Sequence, residues 1–278
     1  MAFPQGQRVL VVGGSAGLGR HLAEAFTLSG AHIGIVARRT AELELAADLL
    51  RGLPHGTSSR HPRVETFVAD VTRDEDVVQL ASQVQETFGG IDVVIHCVGR
   101  SSRGRAAETK PADFQTLWEL NFLTLVRVSQ AMLPLLSVSR GTLVAIGSLA
   151  SKSPGRFLGA YPASKYAVAA YSHQLRLELA PTGVHVLLVC PGPIQRPDAG
   201  ERYASQTHGL PAESAAPGGG VKLKGLEPAR LAAAVLQAID ARQPELVLPG
   251  KARWLFAISQ VSPRWGDWLL SKFSRSSH

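Results

Sequence analysis

Short apolar runs alternate with longer amphipathic stretches along most of this 278-residue chain. Continuous apolar runs rich in Val, Ile and Leu are typical of strands buried on both faces of a sheet. The alternation predicts an α/β fold, with a mostly parallel sheet covered by helices on both faces. The predicted strands are 8–12, 32–37, 64–69, 92–97, 142–147, 184–190 and 245–248. The predicted helices are 17–29, 40–52, 73–88, 113–137, 160–180 and 228–242.

The composition is that of an ordinary globular protein, with 45% apolar and 18% charged residues. The formal net charge of +7 favours anionic ligands, a membrane surface or nucleic acid as partners. The basic residues are scattered and form no recognised reading motif, so we expect no nucleic-acid partner. The histidines show no metal-ligand spacing, and no metal site is predicted.

The two cysteines, Cys97 and Cys190, each lie within an apolar run, as buried free thiols do. No disulfide framework is implied, which favours a reducing compartment. The first residues, MAFPQGQ, lack the charged and apolar regions of a signal peptide, and we expect no run long enough to span a bilayer. These features predict a cytoplasmic protein.

The segment 191–225 interrupts the alternation after the sixth predicted strand. It is rich in Pro, Gly, Ser and Ala. Ligands of open α/β sheets bind at the carboxyl ends of strands, and long irregular segments there are often lids. We therefore expect residues 191–225 to form a lid over a substrate site.

The first predicted strand is followed by GGSAGLG (13–19), which opens a helix. Gly13, Gly17 and Gly19 would let the backbone turn tightly and approach a phosphate, and the helix N-terminus would supply N–H donors. A plain glycine turn is the alternative. The position at the first strand–helix junction favours a dinucleotide site.

The second predicted strand ends at Ala37-Arg38-Arg39. An NAD site usually has a carboxylate here for the ribose 2′-hydroxyl, whereas a guanidinium pairs with a 2′-phosphate. Although arginines at a helix start can simply be solvated, the missing acid favours NADP over NAD. After the third strand, Asp70 could accept a bond from the adenine amino group, or Asp70 or Thr72 could cap the next helix.

Tyr161 and Lys165 are four residues apart in a small, apolar stretch, and so would share one helix face. The pair alone could be an ordinary amphipathic face. A neighbouring ammonium and a positive nicotinamide ring would, however, stabilise the phenolate and lower the phenol pKa below its usual value near 10. Tyr161 could then give a proton to a carbonyl oxygen.

Over roughly residues 8–250 the chain resembles the short-chain dehydrogenase/reductase family. The matching stretches are GGSAGLG (13–19), Asp70-Val71, Asn121, Ser148, Tyr161-x-x-x-Lys165 and Pro191-Gly192. The resemblance implies a doubly wound, Rossmann-type parallel sheet of about seven strands. It also implies a catalytic set of Asn121, Ser148, Tyr161 and Lys165. The cofactor contacts would be Gly13, Ser15, Gly17, Leu18, Gly19, Arg38, Arg39, Asp70, Val71, Gly99, Tyr161, Lys165, Pro191, Gly192 and Ile194.

The resemblance implies a role for each catalytic residue. Ser148 would hold the substrate oxygen, and Lys165 would also bind the nicotinamide ribose. Asn121, in the helix after the fourth strand, would help to order a proton-relay water. It also implies dimers or tetramers, so we expect a homo-oligomer.

The sequence departs from the family pattern in three places. The usual Asn-Asn-Ala-Gly after the fourth strand is His96-Cys97-Val98-Gly99, so only the glycine remains. We interpret His96 as a packed residue rather than an extra acid or base. Val12 replaces a common Thr. Arg196 stands where a Thr often contacts the nicotinamide amide, and it could meet a cofactor phosphate, an acidic substrate or water.

We divide the chain into a dehydrogenase/reductase domain (1–250) and a C-terminal amphipathic tail (251–278). The tail contains Trp254, Trp265 and Trp268 among apolar and basic residues. Tryptophan and cations beside an apolar face are typical of an interfacial membrane helix, but also of a helix that covers the substrate pocket. Both interpretations fit a lipid-like substrate.

These features predict an NADP(H)-dependent oxidoreductase that transfers hydride between nicotinamide and a small-molecule carbonyl or secondary alcohol. The alternative is a catalytically idle NADP-binding scaffold or sensor at a membrane surface. The altered stretch at His96 and the arginine at 196 favour that alternative, and the full catalytic set favours the enzyme.

Overall fold

The computed structural model describes residues 6–54, 62–198, 201–220 and 223–273. Seven parallel strands form one sheet. They are β1 (Arg8–Val12), β2 (His32–Ala37), β3 (Val64–Val68), β4 (Val93–His96), β5 (Thr142–Ile146), β6 (His185–Pro191) and β7 (Glu245–Leu248). Their order across the sheet is β3-β2-β1-β4-β5-β6-β7. The predicted α/β fold with a doubly wound parallel sheet is confirmed.

Helices lie on both faces of the sheet. They are α1 (Gly17–Leu28), α2 (Thr40–Arg51), α3 (Asp74–Phe88), α4 (Pro111–Trp118), α5 (Thr124–Ser139), α6 (Tyr161–Leu179), α7 (Pro228–Asp240), α8 (Ala252–Val261) and α9 (Pro263–Phe273). Helices α1, α2 and α7 share one hydrophobic cluster with the sheet. Helices α3, α5 and α6 share a second cluster on the opposite face.

Strand β1 shows why continuous apolar runs suit this position. Val9 and Val11 pack into the cluster under α1, α2 and α7. Leu10 and Val12 point to the opposite face, because side chains alternate along a strand, and pack under α3 and α5. Both faces are therefore buried from Val9 to Val12, whereas Arg8, at the start of the strand, is partly exposed and pairs with Asp92 at 2.7 Å.

Helix ends follow local signals. Helix α3 begins with an acidic first turn, Asp74 to Asp76, which complements the positive end of the helix dipole. It ends at Gly89, whose φ of 67° lies in the left-handed region that favours glycine. Helix α4 begins with Pro111, whose missing N–H needs no partner in a first turn.

The helix predicted at 113–137 is longer and less regular than expected. It runs from Pro111 to Ser139, with a π-helical segment at Glu119–Leu123 between α4 and α5. By length and composition it is apolar enough to cross a membrane, with a hydropathy of 1.4, contrary to our expectation of no such run. About 33% of that apolar stretch is buried, including Val128 and Met132, which pack against the sheet.

The predicted lid, apart from residues 199–200 and 221–222 outside the described ranges, contains short 3₁₀ turns rather than wholly irregular chain. These are Ala204–Gln206, Ala212–Ala215 and Pro217–Gly219. The two ends of the segment meet in a bridge between Ile194 and Leu226. The amide of Leu226 donates to the carbonyl of Pro193 at 2.7 Å. The segment is therefore joined at its two ends beside β6, and its role as a lid stays a prediction.

The tail forms two helices where we expected one amphipathic stretch, and residues 274–278 lie outside the described ranges. Helices α8 and α9 are separated at Ser262, which is extended at φ −146°. The following residue is Pro263, and a residue before proline is driven away from the helical region. Phe256 of α8 packs against Val247 and Cys190, which attaches the tail to the β6–β7 edge.

The sheet order places a crevice between β1 and β4. The chain winds one way from β1 through β2 to β3, and the other way from β4 to β7. Val12 is in register with both Val36 and His96, so these neighbouring strands end at the same edge. Ligands of doubly wound sheets bind at this crevice, outside the carboxyl ends of the strands.

Candidate active site

A cavity of about 750 Å³ lies at the carboxyl edge of the strands, a volume typical of small-molecule sites. It is lined by the loop after β1, the ends of β2 and β5, the start of α6, the lid and the tail. All the predicted catalytic and cofactor residues line this one cavity except Asn121, which lies behind its wall.

The glycine loop is open to the cavity. Gly17 has a φ of 55°, and a Cβ there would meet no atom within 4 Å. A Cβ on Gly19 would come within 2.0 Å of the Gly13 carbonyl oxygen, so only glycine lets α1 pack so closely on β1. Ala16, the N-cap of α1, offers no side-chain acceptor to the first-turn N–H groups. These free donors fit a dinucleotide phosphate.

Arg38 and Arg39 lie at the same cavity, after β2. The Arg38 guanidinium is 3.5 Å from Asp70, and that of Arg39 is 2.6 Å from Glu42. Both arginine side chains are largely exposed, so each is within reach of a ligand's phosphate.

Asp70 does not cap α3. Its carboxylate accepts bonds from the amide of Thr72 at 3.0 Å and from its hydroxyl at 2.7 Å, while Arg73 occupies the cap position without a side-chain bond. Partial burial would raise the pKa of Asp70, but the bonds from Thr72 and the charge of Arg38 outweigh it and lower the pKa. Asp70 is therefore an ionised acceptor at the cavity wall.

Ser148 follows β5 and caps a short 3₁₀ helix, Leu149–Ser151. Its Oγ accepts the amide of Ala150 at 3.1 Å, and the Ser151 hydroxyl accepts the amide of Ser148 at 3.0 Å. This capping box fixes the Ser148 side chain, which is also hydrogen-bonded to Tyr161.

Tyr161 is the first residue of α6, and its side chain is half-buried at the cavity wall. Burial raises the pKa of Tyr161 to about 12, although the bond to Ser148 and the charges of Arg196 and Arg103 lower it. The lowered phenol pKa that we expect with a positive nicotinamide ring beside it stays a prediction, whereas in the protein alone the pKa is raised. The physical reason is that desolvation of the phenolate exceeds the favourable charge interactions. The phenol is a proton donor at neutral pH.

Lys165 lies one turn further along α6 and is buried. Its ammonium donates to the carbonyl of Ile146 at 2.7 Å. Burial lowers the pKa of Lys165 to about 8, against the opposing influence of Cys97 and Cys190. An ammonium has three N–H donors, so two remain after the bond to Ile146.

Asn121 lies in the π-helical segment rather than in a regular helix, and its side chain is occupied. The amide oxygen accepts the Arg100 N–H at 2.8 Å, and the amide nitrogen donates to the Arg100 carbonyl at 3.0 Å and to Ser164 Oγ at 2.9 Å. The side chain thus ties the loop after β4 to α6. π-Helical turns of this kind are frequent at functional sites.

His96 is packed, as we interpreted it. Its Nε2 lies 3.0 Å from the Thr124 hydroxyl, and burial with the Lys165 charge lowers its pKa to about 3. Cys97 lines the cavity, and burial raises its pKa to about 12. Neither residue is ionised near neutral pH.

Arg103 was not predicted as a site residue. Its guanidinium donates to the carbonyls of Ser214 at 2.7 Å and Ala216 at 3.1 Å, and lies 3.9 Å from the ring centroid of Tyr203. It also lines the cavity with Tyr161. These contacts join residues about a hundred positions apart, so no local sequence pattern indicates them.

Arg196 and the tail complete the cavity wall. The Arg196 side chain is exposed to the cavity, at the start of the lid. Leu255, Phe256 and Leu270 of the tail line the cavity from the opposite side. The tail therefore covers the pocket with one face, while Trp254 and Trp265 lie on the protein surface.

Known proteins resemble the chain over most of its length. A sequence model of the short chain dehydrogenase family matches residues 7–207. Dehydrogenase/reductase SDR family member 7B of Bos taurus is 32% identical over 193 residues, which cover 69% of this chain and 59% of that protein. The chain thus spans less than two thirds of that relative's length.

Two further relatives match this chain over a larger share of both sequences. Ketoacyl reductase HetN of Nostoc is 29% identical over 268 residues, which cover 93% of this chain and 86% of that protein. The crystal structure of a short-chain dehydrogenase from Streptomyces avermitilis is 27% identical, with a TM-score of 0.77 over 97% of this chain and 98% of the other.

Proposed function

The chain belongs to the short-chain dehydrogenase/reductase family of NAD(P)-dependent oxidoreductases, and we propose that it is an NADP(H)-dependent carbonyl reductase. The observation that carries the proposal is the meeting of Ser148, Tyr161 and Lys165 at one cavity with the open glycine loop. That arrangement can hold a carbonyl oxygen and protonate it.

The residues present fit a nicotinamide dinucleotide. The uncapped first turn of α1 and the Gly17 backbone would hold the pyrophosphate. Asp70 would accept a bond from the adenine amino group. When bound, the nicotinamide ring supplies or accepts the hydride. The two spare N–H donors of Lys165 would hold the hydroxyls of its ribose.

The proton is held at the hydroxyl oxygen of Tyr161. With a pKa of about 12, this phenol stays protonated at neutral pH and can donate to a carbonyl oxygen as negative charge develops there. Ser148, fixed by its capping box, would donate a second bond to the same oxygen. Asn121 acts as a positioning residue that keeps the loop after β4 against α6.

The arginines after β2 support NADP over NAD. Arg38 has only Asp70 at 3.5 Å as a carboxylate partner among the described residues, so it is free to turn towards a 2′-phosphate. A guanidinium binds phosphate bidentately, and no carboxylate stands at residues 37–39 to favour a free ribose hydroxyl.

The tail supports an apolar, lipid-like substrate and contact with a membrane surface. Leu255, Phe256 and Leu270 give the cavity an apolar wall. Outside, Trp254 is 76% exposed and Trp265 is 62% exposed, beside basic side chains of the same two helices. Large exposed aromatic groups with cations are typical of interfacial helices. Homo-oligomer formation, a cytoplasmic location and the 1–250 and 251–278 division stay predictions.

The experiment is cofactor oxidation by the purified protein with a panel of short-chain, long-chain and steroidal ketones, each with NADPH and with NADH. We expect reduction of apolar ketones with preference for NADPH. A protein that binds NADPH tightly but reduces no carbonyl and oxidises no alcohol would support the alternative of an idle NADP-binding scaffold.

A further inference from the structure

The cavity around Tyr161 carries an excess of positive charge. Part of its wall is formed by the loop after β4, the lid and the tail. The described cationic residues of that part are Arg100, Arg103, Arg196, Arg202 and Lys251. Among the described residues of these segments, Asp198 is the one carboxylate on the wall. It is paired with Arg202 at 3.3 Å, so it neutralises none of the others.

Arg103 contributes charge but has little capacity left to bind a ligand. It is 7% exposed. Its guanidinium bonds are to neutral acceptors: the Ser214 and Ala216 carbonyls, the Ser102 carbonyl at 2.8 Å and the Ser101 hydroxyl at 3.0 Å. These occupy four of five N–H groups and cancel no charge. Among the side chains that the structure describes, no carboxylate acts on this guanidinium. Burying a charge in such surroundings is costly, and an anion in the cavity would offset part of that cost.

Arg196 also lowers the pKa of the Tyr161 phenol through its charge, and unlike Arg103 its side chain is exposed with donors free for a ligand. Its charge influences Tyr161, and no described carboxylate lies within ion-pair distance of it. A guanidinium forms two parallel bonds with a carboxylate or phosphate. Leu149 and Leu158 continue the apolar wall beside it. Among the described residues, Arg100 and Lys251 of the same wall also lack a carboxylate within ion-pair distance, but the charge of Arg196 is one that acts on the phenol. The cavity thus offers an apolar surface with a free cationic anchor that acts on Tyr161.

We propose that Arg196 binds an anionic group, a carboxylate or a phosphate, on an otherwise apolar substrate whose carbonyl lies at Tyr161. Arg103 adds to the positive potential without touching the ligand. The inference rests on the proposed function, which gives the cavity a carbonyl substrate. Arg196 stands where the family often has a threonine, and in this chain it would determine substrate specificity.

The test measures binding rather than turnover. Octanoate, octyl phosphate and neutral octanamide are titrated calorimetrically into the protein, with and without saturating NADPH. We expect octanoate or octyl phosphate to bind at least about tenfold more tightly than octanamide, since bonds to charged groups are worth roughly 10- to 100-fold. Which of the two anions binds more tightly identifies the group.

Arg196→Gln should abolish the preference for the anion and leave octanamide and NADPH affinities unchanged, and Arg196→Lys should restore part of it. Arg230→Gln is the matched control, because Arg230 lies on α7 and pairs with Glu227 at 2.9 Å outside the cavity.

Equal wild-type affinity for octanoate, octyl phosphate and octanamide would overturn the inference. So would a tenfold loss of NADPH affinity in Arg196→Gln, which makes Arg196 a cofactor residue. Failure of the wild type to bind NADPH would overturn the proposed function instead.

Discussion

The ammonium of Lys165 donates a 2.7 Å hydrogen bond to the carbonyl oxygen of Ile146, the last residue of β5. The bond anchors a buried charge at the carboxyl edge of the sheet. Burial lowers the pKa of Lys165 from 10.5 to about 8. Between these two values the unfolded chain binds more protons than the folded one. The contribution of Lys165 to the free energy of unfolding therefore rises with pH across that window.

We predict that Lys165→Met removes this pH dependence. Urea unfolding of both proteins at pH 7 and pH 9.5 gives the free energy of unfolding at each pH. The wild type should gain stability relative to the variant at pH 9.5. The raised pKa of Tyr161 acts in the opposite direction but only above its usual value of 10. A difference between the two proteins that is the same at both pH values would contradict the assignment.

Tyr161→Phe removes the ionisable oxygen and keeps the ring. Turnover should fall at least ~100-fold, the usual contribution of a positioned acid or base. NADPH should still bind, because most of the proposed dinucleotide contacts, on the glycine loop, after β2 and at Lys165, are kept. Tyr166→Phe is the matched control, since Tyr166 lies on the same helix but does not line the cavity. Near-normal turnover in Tyr161→Phe would exclude the phenol as the acid.

The sequence predicted the strands and most helices because apolar periodicity is a local signal. The runs at β1 and β2 are buried on both faces, and their bounds agree with the prediction. The π-helical segment at Glu119–Leu123 was not predictable, since it depends on how the Asn121 side chain packs against Arg100 and Ser164. The split of the tail at Ser262 has a local cause in the sequence, because the following Pro263 drives Ser262 away from the helical region.

The site residues were predictable where motif spacing fixes them, as with Ser148, Tyr161 and Lys165, which line one cavity. The raised pKa of the phenol in the protein without cofactor was not predictable, because the sequence pattern shows the neighbouring ammonium but not the depth of burial. Arg103 was missed for a related reason. Its partners, Ser214 and Ala216, lie in the lid, 111 and 113 positions away.

Arg38→Ala should weaken NADPH binding roughly 10- to 100-fold, the value of a lost bond to a charged group, and leave NADH nearly unchanged. Only NADPH carries the 2′-phosphate. Arg39→Ala should have the smaller effect, because Glu42 already neutralises Arg39 at 2.6 Å. Fluorescence titration with both cofactors measures this. If NADPH and NADH weaken equally in Arg38→Ala, Arg38 does not discriminate between them.

Arg103→Met should release the lid. The variant loses the bonds to Ser214 and Ala216 and the contact with Tyr203, so the open population should rise roughly 10- to 100-fold. Limited proteolysis should then cut the lid faster, and the KM for the carbonyl should rise more than the Kd for NADPH. Arg105→Met is the control, since the side chain of the exposed Arg105 pairs with Glu108 at 3.5 Å and has no lid partner among the described residues. An unchanged cleavage rate would show that Arg103 does not hold the lid.

The outer face of the tail offers a separate test of membrane contact. Trp265 and Trp268 lie edge to face with ring centroids 5.9 Å apart, and the Lys272 ammonium is 3.9 Å from the Trp268 ring. If this face lies at a membrane interface, the protein should sediment with anionic liposomes. Each basic residue near the surface adds ~1 kcal/mol, so salt should release it.

Replacing Trp265 and Trp268 together with alanine should reduce sedimentation with anionic liposomes and leave NADPH affinity unchanged, because the dinucleotide contacts lie on the sheet. Trp118→Ala is the matched control, since Trp118 is an exposed tryptophan of α4, packed on Phe122 and outside the tail. If α8 and α9 only cover the pocket, the double variant should instead change substrate affinity or stability. Intact protein that stays in the supernatant with both neutral and anionic liposomes would leave the tail as a structural cover, with its tryptophans facing water.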